Sequence, residues 1–283
     1  MVRRMLRNGT TTALYFATIH LEASKKLADI CDSYGQRAYV GKLNIDQLAP
    51  AYYIETTAGS LADTETFIQY CRSEFRNSSE RSPIVHPVIT PRFIPTCSYP
   101  LLQGLGALAR KYDCHVQSHA AETVDQVTLV RSQYPNLERD VSIFQSTGLL
   151  RPSKTVFAHC VYLRDSEVDT LVKHEIGISA CPLSNMGYSR GVVPVQRYMN
   201  KGLRVGLGTD VAGGINIGML SAVRGAVLAE RTVDFEMIER DNEEYWPENS
   251  DPKWDLDYNY GYYLATVHSF DTLSDDRSVL RQR

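Results

Sequence analysis

The stretch VGLGTDVAGG, residues 205–214, carries an apolar run into a small polar cluster, a lone carboxylate at Asp210, and then the glycine pair Gly213-Gly214. A short apolar run that ends in glycines reads as a buried strand followed by a tight turn. The upstream chain repeats the pattern. Further β-rich runs are TTTALYFATI (10–19), RAYVGKL (37–43), PIVHPVIT (83–90), HVQSH (115–119), TVFAHC (155–160) and IGISAC (176–181), with RVGLGT (204–209) as the last. Segments of helical period lie between them, such as EASKKLADICDSYG (22–35), where Gly35 is a natural stop, and YPLLQGLGALARKYD (99–113). Strand alternating with helix predicts a parallel sheet covered by helices.

Two architectures accommodate that repeat, an open doubly wound sheet and a closed (β/α)₈ barrel. A dinucleotide-binding sheet needs G-x-G-x-x-G after an early strand, and none is there. GLGTDVAGG follows the last strand and lacks the Walker lysine. The expected fold class is therefore α/β, a TIM-like barrel. In a barrel the C-terminal ends of the strands share one mouth. Those ends carry Arg92 and Phe93 after the third run, His119 and Glu122 after the fourth, and His159 at the end of the fifth. Cys181-Pro182 and Ser184-Asn185 follow the sixth, and Asp210 the seventh.

Two imidazoles and a carboxylate are ligands that a catalytic Zn²⁺ accepts while leaving a position open, and Fe²⁺ takes a similar set. On this reading His119, His159 and Asp210 hold the ion. Glu122 shuttles protons and Asp210 orients or deprotonates the attacking water. A single histidine at a strand end is more often a hydrogen-bonded rim residue, so His20, His86, His115, His174 and His268 read as structural. Arg92 lies between Pro91 and Phe93, a setting suited to a planar, hydrogen-bonding role.

Composition narrows the partners. The 283 residues are 43% hydrophobic, enough for one large core, and carry a formal net charge of −3 with pI near 6.2. That balance leaves no basic footprint for nucleic acid. No apolar run reaches the roughly 18 residues of a membrane span, and the opening MVRRMLRNGTTTALYF lacks a signal-type apolar stretch. The expectation is a cytoplasmic protein with a small-molecule substrate. Six cysteines, none in C-x-x-C spacing, read as buried free thiols.

Taken together, VITPRF, VQSHAAE, VFAHC, ACPLSN and VGLGTDVAGG, with NGTTTALYFATIH near the start, resemble the guanine deaminases of the amidohydrolase superfamily. The resemblance runs from about Arg3 to about Thr266. It implies an amidohydrolase-type barrel, zinc as the ion, a homodimer, and hydrolysis of guanine to xanthine and ammonia. His119, His159 and Asp210 match metal ligands, with His119 and Asp210 also at the substrate. Glu122 matches the proton shuttle, and Arg92 and Phe93 match the pair that grips the purine. TPRF and GTDVAGG weigh against an adenine or triazine substrate. The other zinc deaminase design needs P-C-x-x-C after H-x-E; His20-Leu21-Glu22 meets only the first half.

Some family features are not present. The chain has no His-x-His pair, Ala180 replaces a common histidine, and Ala121 stands where a serine is usual. With seven strands where a closed barrel has eight, the expectation is one barrel domain over 1–283. It is truncated at both ends and lacks its first strand and the accompanying β-sandwich. Impaired activity is expected, with strands 10–19 and 204–209 left as open edges. The alternative is a catalytically inactive fragment that acts only by pairing with an intact subunit. The acidic segment 232–258 reads as an exposed insertion or loop.

Overall fold

Alternating β-formers and helical periods produce the expected elements in the expected order. The computed structural model describes residues 1–75, 83–137, 139–239 and 256–269, with backbone alone for 233–239. The strands are β1 (Thr12–Phe16), β2 (Arg37–Gly41), β3 (Leu43–Asn44), β4 (Val85–Pro91), β5 (His115–Ala120), β6 (Thr155–His159), β7 (Gly177–Ala180) and β8 (Arg204–Leu207). Each of the seven expected runs contains one strand. The two-residue β3 is an addition that periodicity is too short-ranged to resolve. The helices are α1 (Val2–Arg7), α2 (Leu21–Ser33), α3 (Thr57–Glu74), α4 (Tyr99–Lys111), α5 (Val124–Gln133), α6 (Asp140–Ser146), α7 (Asp165–Lys173), the short α8 (Pro182–Ser184), α9 (Val195–Asn200), α10 (Met219–Glu239) and α11 (Tyr258–Tyr263).

The chain forms two compact units. One comprises Met1–Ser118 with Leu129–Arg151, and the other comprises His119–Thr128 with the residues from Pro152 onward. In the first unit the parallel order is β1-β2-β4-β5, with β3 on β4. Thr12 pairs with Arg37, Ala38 with Val85, and Val88 with His115. Its core joins Ala28 and Cys31 of α2, Val40 of β2, and Phe67 and Cys71 of α3. Gly35 adopts φ +66 just past α2, a left-handed conformation that glycine takes at least cost. Ser98 caps α4 by accepting from the Leu101 amide at 3.3 Å. Beyond β2 the fully buried Lys42 pairs with Glu55, and its ammonium donates to Ser60 Oγ at 3.3 Å. Ser60 also donates to Asn44 Oδ1 at 2.9 Å, and Asn44 donates to the Thr90 carbonyl at 3.0 Å. Burial holds the Lys42 ammonium below its ordinary value, with Glu55 opposing the shift.

In the second unit β6, β7 and β8 are parallel, with Val156 facing Gly177 and Ile178 facing Val205. Val156, Phe157, Ile178, Val205 and Leu207 of these strands are buried. Glu230 of α10 starts α9 by accepting from the Val195 and Gln196 amides at 3.0 and 3.3 Å. Among the described residues β8 has one strand neighbour, β7, and is an edge strand as expected, with two side chains bonded to its free side. His268 Nδ1 donates to the Val205 carbonyl at 2.7 Å and the Leu207 amide donates to Ser269 Oγ at 3.1 Å. Side chains can do this because alternate backbone groups of an edge strand point the same way. All six cysteines are free and buried, as expected. Among the described residues no helix is long and apolar enough to cross a membrane. The acidic segment begins inside α10, whose backbone remains helical to Glu239; the part from 240 to 255 lies outside the described residues.

Candidate active site

His119, Glu122, His159 and Asp210 all belong to the second unit. His119 is the penultimate residue of β5 and His159 the last of β6; the Cys160 amide donates to the Ala120 carbonyl at 3.0 Å, which holds the two strand ends side by side. The imidazoles stack with centroids 5.3 Å apart and planes 16° apart. Glu122 follows within three residues, its amide donating to Gln126 Oε1 at 3.2 Å, and its Oε1 lies 3.7 Å from His159 Nε2. Asp210, just past β8, accepts the Ser184 hydroxyl on Oδ2 at 2.6 Å.

The backbone at these positions is unusual. His159, Cys160 and Asp210 adopt φ of +70, +58 and +49, which costs about 1–3 kcal/mol for a side-chain-bearing residue. Local bonds hold the conformation. The buried Tyr198 hydroxyl donates to the Cys160 carbonyl at 3.1 Å, and the Gly214 amide donates to the Asp210 carbonyl. A Cβ on Gly214 would lie 2.0 Å from the Thr209 carbonyl oxygen, so the last glycine of the stretch 205–214 is required by close backbone approach. Cys181 sits behind the site. Burial first, then the negative charge of Asp210 and the more weakly acting Glu122, push its thiol far above the ordinary range. It is therefore an inert packing group.

Two imidazoles and a carboxylate are the right donor chemistry for a divalent ion. Geometrically, among the described residues no three histidine, cysteine or carboxylate side chains are grouped so as to hold one. Arg92 and Phe93 lie in the first unit, just past β4, with the guanidinium 5.1 Å from the Phe93 ring centroid and the Arg92 amide donating to the Asn44 carbonyl at 3.2 Å. The histidines set aside as structural make local contacts. His86 stacks on Tyr39 at 5.2 Å, and His20 Nδ1 lies 2.8 Å from Thr18 Oγ1.

Sequence reasoning placed Ser184 and Asn185 at a strand end but gave them no role. Ser184 bonds Asp210, and Asn185 Oδ1 lies 3.5 Å from His159 Nδ1. The signal available was their position after β7, between runs ending in His159 and Asp210.

Residues 1–246 match the model of the Amidohydrolase family. The chain is 35% identical over 279 residues to a guanine deaminase of Dictyostelium discoideum, covering 99% of this chain and 58% of that protein. Among solved structures it resembles guanine deaminase from C. acetobutylicum with guanine bound in the active site. The TM-score is 0.84 and the identity 31%, over 96% of this chain and 61% of that one. An adenosine deaminase from Xanthomonas campestris with bound zinc is alike in fold, with a TM-score of 0.76 at 20% identity over 95% of this chain and 54% of that one. The fold is thus of the amidohydrolase barrel type, as the alternation of strands and helices predicts. The chain spans little more than half the length of the relatives it matches.

Proposed function

The chain belongs to the amidohydrolase family, and from that premise we propose that the protein releases ammonia from guanine by hydrolysis at C2, leaving xanthine. The observation that carries the reading is Glu122, whose carboxylate lies 3.7 Å from His159 Nε2 at the adjoining ends of two parallel strands. A carboxylate there can take a proton from water as the oxygen bonds to C2. It then returns that proton to the amine as the C–N bond breaks, so that one water is consumed for each ammonia released. Asp210, held by Ser184, is the second carboxylate and orients the attacking water. His119 and His159 flank the reacting carbon. Arg92 and Phe93 are proposed as the purine-gripping pair, a planar donor fork and a ring suiting a flat, polar base.

A divalent ion is part of the proposal, with zinc preferred because one fold neighbour holds it. Such an ion supplies Lewis acidity toward water. His119, His159 and Asp210 would hold it, two imidazoles and a carboxylate being donors such an ion accepts, and every step above is assigned to side chains. The preferred setting is a cytoplasmic homodimer acting on a free base, away from nucleic acid and membrane.

A second reading, an inactive barrel that works by pairing with an intact subunit, rests on one feature of the sequence, which contains no His-x-His pair. Ammonia release from guanine by the purified chain, with Glu122→Gln alongside, separates the two. Release lost in the variant supports deamination; a folded chain that releases none from guanine supports the inactive reading.

A further inference from the structure

We propose that Ser184 and Asn185 are positioning residues, a two-residue brace that sets Asp210 and His159 together; the inference rests on the reading that these two side chains do the chemistry. β7 lies between β6 and β8, with Ile178 paired to Phe157 on one side and to Val205 on the other. Neighbouring strands are about 4.8 Å apart, so the turn after β7 opens between the ends that carry His159 and Asp210. Pro182 fixes the first helical position of that turn. Successive helical side chains diverge by about 100°, which lets adjacent residues reach opposite neighbours.

Ser184 and Asn185 are both buried, at 3% and 0% exposure, and each makes one of the two contacts. The Ser184 hydroxyl donates to Asp210 Oδ2 at 2.6 Å, a short bond to a charged acceptor. Asn185 Oδ1 lies 3.5 Å from His159 Nδ1. With Oδ1 toward the ring the amide accepts, an orientation that favours the imidazole with its proton on Nδ1 and Nε2 facing Glu122 at 3.7 Å. The far end of the turn is tied down as well. The Tyr162 hydroxyl lies 3.0 Å from the Ser189 carbonyl and 3.3 Å from that of Arg190. Between these anchors the backbone widens into one π-type turn, Asn185–Ser189, a distortion common at functional sites. Since His159 and Asp210 both sit in left-handed backbone, their side chains need holding from outside their own strands, and one turn does this for both.

The test uses the 283-residue chain with ¹⁵N-labelled histidine, at a pH where imidazole is neutral. The His159 ring nitrogens are assigned with His159→Gln and compared in the parent, Asn185→Leu and Asn185→Asp. The expected result is the Nδ1–H form in the parent, loss of that preference in Asn185→Leu, and its return in Asn185→Asp, which keeps an acceptor. A parent ring protonated on Nε2, or one tautomer throughout, overturns the Asn185 half. For Ser184, crystal structures and kinetics of Ser184→Ala and Ser184→Thr are compared. The expected result is a displaced Asp210 carboxylate, with kcat for ammonia release down about 10–100-fold and KM little changed in the alanine variant, and recovery in the threonine variant. An unmoved carboxylate in Ser184→Ala overturns this half. A chain that releases no ammonia but shows the expected tautomers and carboxylate shift refutes guanine deamination while upholding the brace.

Discussion

The imidazoles of His119 and His159 stack 5.3 Å apart, 16° from parallel, although 39 residues separate them in the chain. The contact has an apolar part, ring on ring, and a polar part, the nitrogens. Phenylalanine keeps the first and removes the second. His119→Phe is therefore expected to change unfolding free energy by no more than about 1 kcal/mol, while ammonia release from guanine falls by more than tenfold. Urea unfolding and initial rates on the same preparation check both, and unchanged rates would remove His119 from the reacting groups.

Glu122→Gln keeps size and shape but has no proton to exchange. Loss of a general acid–base group costs about 10²–10⁴-fold in rate. We expect that loss with guanine affinity within a few-fold of the parent, measured by calorimetry. A parallel collapse of affinity would mean that Glu122 binds substrate and does not move protons.

The buried Lys42–Glu55 pair gives a prediction independent of function. Removing one partner strands a charge, and Glu55→Ala is expected to cost about 3–5 kcal/mol in urea unfolding. The double variant Lys42→Met/Glu55→Leu replaces both charges by apolar groups and should regain most of it. A double variant as unstable as the single would show that packing around Ser60 and Asn44 dominates.

Two glycines separate close approach from flexibility. A Cβ on Gly214 meets the Thr209 carbonyl oxygen at 2.0 Å, whereas one on Gly187 meets nothing within 4 Å. Gly214→Ala should lose about 1–3 kcal/mol and displace Asp210, whose carbonyl accepts from the Gly214 amide. Gly187→Ala should leave the thermal midpoint within a degree or two of the parent, roughly the scatter of surface substitutions. Equal effects at the two sites would contradict the packing described.

Alkaline pH should destabilise the protein. Burial pushes the Cys31 thiol from 9.0 up to about 11, and burial raises Cys71, Cys97 and Cys181 as well. An acid whose folded value is raised holds protons that the unfolded chain releases, so stability is full below pH 9 and falls as pH rises toward 11. Urea midpoints should drop between pH 8 and pH 10, and Cys31→Ala should flatten the slope. A midpoint that rises over that interval reverses the sign.

The order of strands and helices was determined by the sequence alone, because periodicity, β-branching and stops such as Gly35 act over a few neighbouring residues. So was the set of chemical groups at the strand ends: His119, Glu122, His159 and Asp210 follow from where each run stops. Tertiary structure decided how those groups are held. Ser184 reaches Asp210 across 26 positions, Asn185 reaches His159 across 26, and His268 reaches the β8 edge at Val205 across 63. The residue types offered no forecast of these pairings, since serine, asparagine and histidine bond to whatever partner lies within about 3 Å. That proximity exists only after parallel register has set β7 between β6 and β8 and turned the chain back on itself.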